Sequence, residues 1–417
     1  MWGTDAKTLT CAAALLATFG LTTAASAADL PARTLPAAAA PETCKTALSF
    51  PSFNGSIKQN PSPTCVDVPG IGDIYLGGAI TGYTYTQTNP LPFLPAPLPS
   101  DAPGRIDFSN LQLFIQKPDG DFQFYVQVGG YAIPQLGVSN FSAVDQTRLL
   151  FTPVPVAFGK YQINDKFSVQ AGRMPTLIGS EAPFTFQNLN INRGLLFVQE
   201  NIINQGVQLN YADGPVAASI AVTDGFFSGE LNWVTGSLTY KLDDANTIGV
   251  NGGTHFSRTN VLTRSIEYGF ATPLFQQNSS IFNVNYTYSN GPWTVTPYFQ
   301  FTDVGRDDAI GILAGASTYG GALLVNYAFN DNFSLAGRVE YIEQTGRFGS
   351  LTPSLLFGPG SSALSFTVTP TYTWDRYFVR GEYALVELYD FTPGLGFGRA
   401  GTRPSQERFM LEGGVTF

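Results

Sequence analysis

Hydrophobic and polar residues alternate along most of the chain from Ile74 onward. Residues 293–301 alternate Trp, Val, Pro and Phe with Thr, Tyr and Gln, and residues 364–374 place Ser or Thr at every second position. Successive side chains of a strand point to opposite faces, so this period of two predicts β-strands with one apolar and one small polar face. The alternation continues through residues 408–417 to the final Phe417.

Two kinds of connection separate these segments in turn. The short ones are rich in Asp, Asn and Gly, which favour tight turns, and lie at 118–120, 164, 213, 243, 290, 330 and 374. The long ones are 88–104, 132–150, 175–201, 224–230, 258–276, 303–314, 345–360 and 389–404. Their alternation predicts about sixteen strands, and single-chain bacterial barrels have an even number.

Composition indicates what the strands build. Charged residues are 13% of the chain, about half the share usual in soluble domains, which argues against a β-sandwich. Aromatic residues flank the short turns, as at Tyr240 and Trp374, and such rings favour a membrane interface. Backbone groups in lipid must all be paired, so we predict an all-β protein, a closed antiparallel transmembrane β-barrel over 73–417, with short periplasmic turns and long extracellular loops.

Residues 1–27 have the features of a cleaved signal peptide, with an apolar run after Lys7 and small residues at Ala25 and Ala27. The run is too short to cross a membrane, and a retained anchor helix is the alternative. We expect export to the outer membrane of a Gram-negative bacterium.

Residues 28–72 are rich in Pro and Ala and lack a sustained period, which predicts an extended N-terminal periplasmic segment. Cys44 and Cys65 lie in it, and an oxidising compartment favours a disulfide between them, although a free pair stays open. Neither cysteine has the companions of a metal site, and we expect no metal or cofactor. The net charge of −9 argues against nucleic acid as a partner.

Residues 170–240 carry a distinctive set of positions: Gly172, Gly179, Glu181, Asn188, Asn190, Arg193, Gly206 and Val207. This set resembles the OmpL-like family of bacterial β-barrel porins. The start, with "AADLPA" and two cysteines ahead of "YLGG", also looks like porins of α-proteobacteria. The resemblance implies passive passage of small hydrophilic solutes. A barrel of about sixteen strands is independently wide enough for an aqueous lumen.

The long connection 175–201 is predicted to fold into the lumen. It carries apolar residues such as Phe184, Phe186 and Leu195, which would be costly on a loop exposed to water. An external loop over the barrel rim is the alternative. The charged residues in or beside it are candidates for a pore constriction: Arg173, Glu181, Arg193 and Glu200.

Three Arg/Glu pairs share the polar face of the late strands: Arg338 and Glu340, Arg380 and Glu382, and Arg408 and Glu412. Fixed charges in a narrow section bias which ions pass, so these residues are further candidates for the pore. Cross-strand pairing that neutralises them is the other role, and both can hold.

Two other functions fit parts of the sequence. His255 and Ser257 have the spacing seen in outer-membrane phospholipase A, but strand alternation places them in the lumen, away from lipid, and Arg258 stands where that family has an Asn-Gly pair. We therefore expect no enzyme. A structural or adhesive barrel without conduction is the second alternative, because long loops can bind partners.

The final aromatic, Phe417, matches the C-terminal signal by which such barrels reach their assembly machinery. Expected partners are outer-membrane lipid, that assembly machinery and small hydrophilic solutes. A homotrimer is compatible with a barrel of this size, although no sequence feature decides it.

Overall fold

The computed structural model describes residues 50–92, 101–259 and 272–417. Within them, seventeen strands form the fold: β1 Thr64–Val68, β2 Gly72–Gln87, β3 Gly104–Lys117, β4 Phe122–Tyr131, β5 Val156–Gln162, β6 Phe167–Pro175, β7 Ile203–Asp213, β8 Val216–Thr223, β9 Trp233–Lys241, β10 Asn246–His255, β11 Ser279–Asn290, β12 Trp293–Val304, β13 Ala316–Ala328, β14 Phe333–Gln344, β15 Ser362–Trp374, β16 Tyr377–Asp390 and β17 Ser405–Thr416. The helices are α1 Ala143–Leu149 and α2 Leu274–Gln277, and the 3-10 turns are Thr185–Gln187, Leu196–Gln199 and Asp308–Ile310. Neither α1 nor α2, nor any other described stretch, is a helix long and apolar enough to cross a membrane.

Sixteen strands close into a ring. Each strand from β2 to β16 pairs antiparallel with the next, and β17 pairs back onto β2 from Arg408 opposite Gln87 to Thr416 opposite Ala79. The short β1 adds only a hairpin on the first residues of β2. The predicted closed antiparallel barrel of about sixteen strands is therefore confirmed.

The last residue takes part in the closure. Phe417 and Gly78 exchange two backbone hydrogen bonds, with N···O distances of 3.0 and 2.8 Å. The Phe417 ring lies over Gly78 so closely that a Cβ there would be 2.5 Å from the ring. Phe417 is therefore held on β2 by backbone hydrogen bonds, and the absence of a side chain at Gly78 leaves space for the Phe417 ring.

The connections between the strands lie where the turn-forming residues of the sequence predict them. All seven predicted short turns join consecutive strands, and Gly214 and Gly291 adopt φ values of +55° and +56°, which glycine reaches without strain. The strand ends that lead into the eight long connections lie at the other end of the ring. Cys65 is disulfide-bonded, and Cys44 lies outside the described residues.

A β-bulge interrupts the pairing of β2 with β3. Thr81 pairs with Asn110, but the next residue, Gly82, pairs with Phe108, so Ser109 is the extra residue. This matches the change of apolar phase between Phe108 and Leu111 in the sequence. The bulge keeps apolar side chains facing outward on both sides of it.

The two faces of the ring differ as the alternation predicts. Outward side chains are large and apolar, for example Ile106, which is 86% exposed, whereas the inward Thr367 and Thr369 are buried. Near the short turns the outward rings touch one another, as Trp293 and Tyr327 do with centroids 4.6 Å apart. An apolar exterior and a polar interior are the pattern of a barrel in lipid.

Candidate functional site: the lumen and its inner loop

Residues 176–202, between β6 and β7, form what we call the inner loop. Five of its large apolar side chains are 1% exposed or less: Phe184, Phe186, Leu195, Leu196 and Phe197. Phe186 packs on Phe114 of β3 with ring centroids 5.5 Å apart, and Phe184 packs on Tyr131 of β4 at 5.3 Å. Because Phe114 and Tyr131 are buried residues of the inward face, the loop lies against the inside of the strands.

The opposite side of the loop meets the charged wall, which we define as the inward face of β14, β16 and β17. The six predicted Arg and Glu side chains all lie there, and none exposes more than 4% of its surface: Arg338, Glu340, Arg380, Glu382, Arg408 and Glu412. Burying a charge is costly unless it is paired and hydrogen-bonded, so the partners of these groups decide what they do.

Arg380 and Glu412 form one anchor for the loop. They are adjacent across β16 and β17, with Nη2 of Arg380 2.6 Å from Oε2 of Glu412. The Thr185 hydroxyl donates to Glu412 at 2.6 Å, and Arg380 donates to the carbonyls of Thr185 and Asn188 at 2.7 and 3.0 Å. Both charges are thus paired and also bind the loop.

Arg338 and Glu340 form a second anchor. Arg338 contacts Glu181 of the loop at 2.7 Å and its own neighbour Glu340 at 3.1 Å. Glu340 accepts from the backbone N–H of Leu195 at 3.0 Å. The loop backbone approaches so closely that a Cβ on Gly194 would be 2.0 Å from Glu340. Glycine is therefore required at residue 194 for this contact.

Glu382 and Arg408 hold the segment between these anchors. Glu382 accepts from the backbone N–H groups of Ile191 and Asn192, at 2.9 Å for Asn192. Arg408 donates to the Asn192 side chain at 2.6 Å. The anchors together contain equal numbers of opposite charges, with Arg193, Arg338, Arg380 and Arg408 against Glu181, Glu340, Glu382 and Glu412. The cluster is close to electrically neutral.

The remaining two candidates lie apart from this cluster. Arg173 has the strand parity of Ala171, which is exposed on the outward face, and it donates to Thr152 and the carbonyl of Val154 at 2.9 and 3.0 Å. Arg173 thus lies outside the Arg/Glu cluster that holds the loop. Glu200 is buried and accepts from the Tyr298 hydroxyl at 2.5 Å. Burial raises the pKa of Glu200 well above its ordinary value, against the lowering effect of that hydrogen bond.

Residues 50–63, which we call the N-terminal strap, also lie inside the ring. Phe50 packs edge-on against the inward Tyr125 with centroids 4.3 Å apart. Ser56 donates to Asn326 of β13 at 3.2 Å. The strap therefore crosses the inside of the ring from β4 to β13. The sequence did not reveal this placement, because the segment has no periodicity.

The strap supports the inner loop directly. Asn54 donates its backbone N–H to the carbonyl of Gln187 at 3.0 Å, and the rings of Phe53 and Phe186 are 5.3 Å apart. A Cβ on Gly55 would be 2.3 Å from the carbonyl oxygen of Asn188. Loop and strap thus form one packed body beside the charged wall.

A different surface faces the lumen on β7–β11. We define the neutral wall as seven inward, partly exposed positions: Asn210, Ser219, Ser237, Thr239, Thr247, Asn285 and Thr287. Three of them lie in one lateral row, since Asn210 pairs with Ser219 and Ser219 with Ser237. The inner loop approaches this sector at Ser180, whose hydroxyl is 3.4 Å from Nδ2 of Asn285.

The strands that carry the neutral wall present almost no charged side chains to the lumen. The inward positions of β7–β12 contain no Asp, Glu or Arg, and their one Lys, Lys241, sits at the short-turn end and contacts Asp244 at 2.9 Å. Alternation alone could have found this sector, because its uncharged polar face is visible in the sequence.

The residues of the enzymatic alternative do not form a catalytic pair. His255 ends β10, and its ring Nδ1 is 3.4 Å from the carbonyl oxygen of Ser279. Among the described residues, no hydrogen bond links His255 with Ser257, which is exposed in the loop that follows. The same part of the chain contains no group of three or more His, Cys, Asp or Glu that could hold a metal ion.

Comparison with known proteins gives a family match over 73–417, to the family described as beta-barrel porin-2, OmpL-like. No curated protein matches the sequence. Similar solved structures include the outer membrane channel DcaP of Acinetobacter baumannii, 11% identical with a TM-score of 0.54, which covers 84% of this chain and 99% of that chain. Salmonella typhi OmpF in complex with daunomycin is 10% identical with a TM-score of 0.51, over 85% of this chain and 100% of that chain.

A trimer form of OmpT from Vibrio cholerae is also similar, at 10% identity and a TM-score of 0.52, over 82% of this chain and 99% of that chain. At these identities the likeness to solved structures shows the fold alone. The family match confirms the resemblance noted in residues 170–240 and extends it over the whole barrel.

Proposed function

Since the chain belongs to this OmpL-like family of β-barrel porins, we propose that it is an outer-membrane porin through which small hydrophilic solutes diffuse passively. Porins are channels, so the chain is not an enzyme. The observation that carries the proposal is the inward neutral wall, whose polar side chains stay partly exposed where the inner loop approaches them. The loop narrows the passage and leaves this wall to line it.

The anchors support this role for the loop. A loop that narrows a pore must keep its position against the flow of solvent and solute, and here buried ion pairs and backbone hydrogen bonds hold it at Thr185, Asn192 and Leu195. Residues held by several charge-assisted hydrogen bonds are well fixed. The loop is thus a rigid part of the wall rather than a mobile lid.

Further parts of the proposal concern the rest of the chain. Residues 1–27 are a cleaved signal peptide, the short turns face the periplasm and the long loops face outside. Phe417 is recognised by the assembly machinery, and outer-membrane lipid contacts the apolar exterior. The protein assembles as a homotrimer, as the trimer form of the similar OmpT from Vibrio cholerae suggests by analogy.

Conductance of the purified protein in a planar lipid bilayer tests the proposal. We expect step-like increases in current as single molecules insert. Correct folding of the inserted protein is checked by the β-sheet circular dichroism spectrum. Folded, inserted protein that gives no steps would contradict the porin function and favour a structural or adhesive barrel.

A further inference from the structure

The charged wall carries many charges, but a solute in the lumen cannot reach them. On the charged wall, every Arg and Glu is at most 4% exposed and is bound to the loop or to a neighbouring strand. Of the loop's own carboxylates there, Glu181 has a side chain 8% exposed and lies 2.7 Å from Arg338. The charges are therefore both covered and compensated.

The neutral wall offers hydrogen-bonding groups instead. Hydroxyl and amide side chains both donate and accept, which suits the hydroxyl groups of an uncharged solute. Ser237, Thr239 and Thr247 are partly exposed, and their hydroxyl groups form no hydrogen bond with another described residue. Free acceptors and donors of this kind can replace the water that a hydroxyl-bearing solute loses in a narrow passage.

The neutral wall offers no charged group that could compensate an ion for the water it loses. Fixed charges near a constriction attract ions of opposite sign and repel the others, which is how pores become ion-selective. The inward positions of β7–β12 supply no Asp, Glu or Arg, and the single Lys241 is at the short-turn end beside Asp244. Transfer of an ion past this wall is therefore not assisted by a countercharge.

From these observations we infer that the passage is matched to uncharged, hydroxyl-bearing solutes, such as small sugars and polyols, and discriminates weakly between cations and anions. The inference rests on the proposed porin function and names the solute class for it. The buried Arg/Glu cluster fixes the loop, and the neutral wall determines what passes.

Two measurements on the intact protein test this. Reversal potentials in a KCl gradient should lie close to zero, because K⁺ and Cl⁻ have similar mobilities in water. Swelling of proteoliposomes should be faster in sorbitol than in gluconate or glucosamine, which are similar in size but carry a negative or a positive charge. A strong preference for either ion, or faster entry of a charged solute, would overturn the inference while leaving the porin function intact.

A variant pair ties the result to the neutral wall. Ser237→Asp should shift the reversal potential toward cation selectivity, and the uncharged control Ser237→Asn should leave it near the wild-type value. An unchanged reversal potential in conducting Ser237→Asp channels would show that this wall does not line the passage and would overturn the inference. Absence of both conductance and swelling in the folded wild type would instead contradict the porin function itself.

Discussion

The charged wall and the neutral wall belong to the same ring of strands, but they use polarity in opposite ways. On β14, β16 and β17, charged side chains are buried under the inner loop and bind its backbone. On β7–β11, small uncharged side chains stay partly exposed. The difference teaches that inward-facing charge in a barrel need not face the solute, because a loop packed on it converts the charge into an anchor.

Buried Arg and Glu residues are unfavourable by themselves, but they stabilise the position of the inner loop. A single hydrogen bond contributes about 1 kcal/mol, and a long loop loses much conformational freedom when it is ordered inside a barrel. Buried Arg and Glu each make several bonds to the loop, and removing one partner leaves the other charge uncompensated. Removing one charge of a buried pair should therefore disturb the loop most.

Arg380→Met should have the largest effect. It leaves Glu412 buried without a cation and removes the bonds to Thr185 and Asn188, at a cost of about 3–5 kcal/mol. We expect a lower unfolding temperature in detergent, followed by circular dichroism, and larger, noisier channel currents as the loop leaves its position.

The matching double variant Arg380→Met/Glu412→Leu sharpens this result. Removing both charges together should cost less than the sum of the two single changes, since neither charge is then left unpaired. Additive losses in unfolding free energy would contradict the ion-pair anchor.

Gly194→Ala should have a smaller effect on the same contact. The added methyl group would lie 2.0 Å from Glu340, so the loop backbone must move away. We expect noisier currents with little loss of total β-sheet. Gly305→Ala is the control, because a Cβ at residue 305 meets nothing within 4 Å. Equal behaviour of the two variants would show that close contact at residue 194 is unimportant.

Much of this arrangement could be predicted from sequence. Strict alternation placed Arg338 and Arg380 on the inward face, and Asp-Gly and Asn-Gly turns fixed the strand order. Alternation with Ala171 indicates that Arg173 faces outward, although its position in the sequence lies next to the charged residues of the loop.

Burial could not be predicted in the same way. Whether an inward arginine faces solvent depends on where distant segments pack, and the sequence of the inner loop does not encode its partners locally. Thr185 meets Glu412 across 227 positions of the chain. Phe50 and Phe53 gave no signal either, because the strap has no strand periodicity and its order comes from tertiary contacts alone.

Glu200→Gln should have the smallest effect, and it depends on pH. Because burial raises the pKa of Glu200, the folded protein favours the neutral carboxyl. This contribution is fully present below the ordinary pKa of 4.5 and is lost as the pH rises through the raised value. The facing groups are Tyr298, which donates the hydrogen bond, and the carboxylates of Glu181 and Glu340.

Glutamine cannot ionise, so Glu200→Gln should lose this dependence. Unfolding temperatures at about pH 4 and about pH 8 should differ more for the wild type than for the variant, with the wild type relatively weaker at the higher pH. The same pH dependence in both proteins would show that Glu200 does not titrate in this range.

Solutes are expected to pass along the neutral wall and not along the charged wall. Two single cysteines, Ser237→Cys on the neutral wall and Thr367→Cys at a buried position of β15 that contacts Arg338 of the charged wall, can be treated with a charged thiol reagent during bilayer recording. Wild type is the control, since Cys65 is already disulfide-bonded. We predict that the conductance of Ser237→Cys falls on modification while that of Thr367→Cys is unchanged. Block of Thr367→Cys with no effect on Ser237→Cys would show that solutes pass along the charged wall instead.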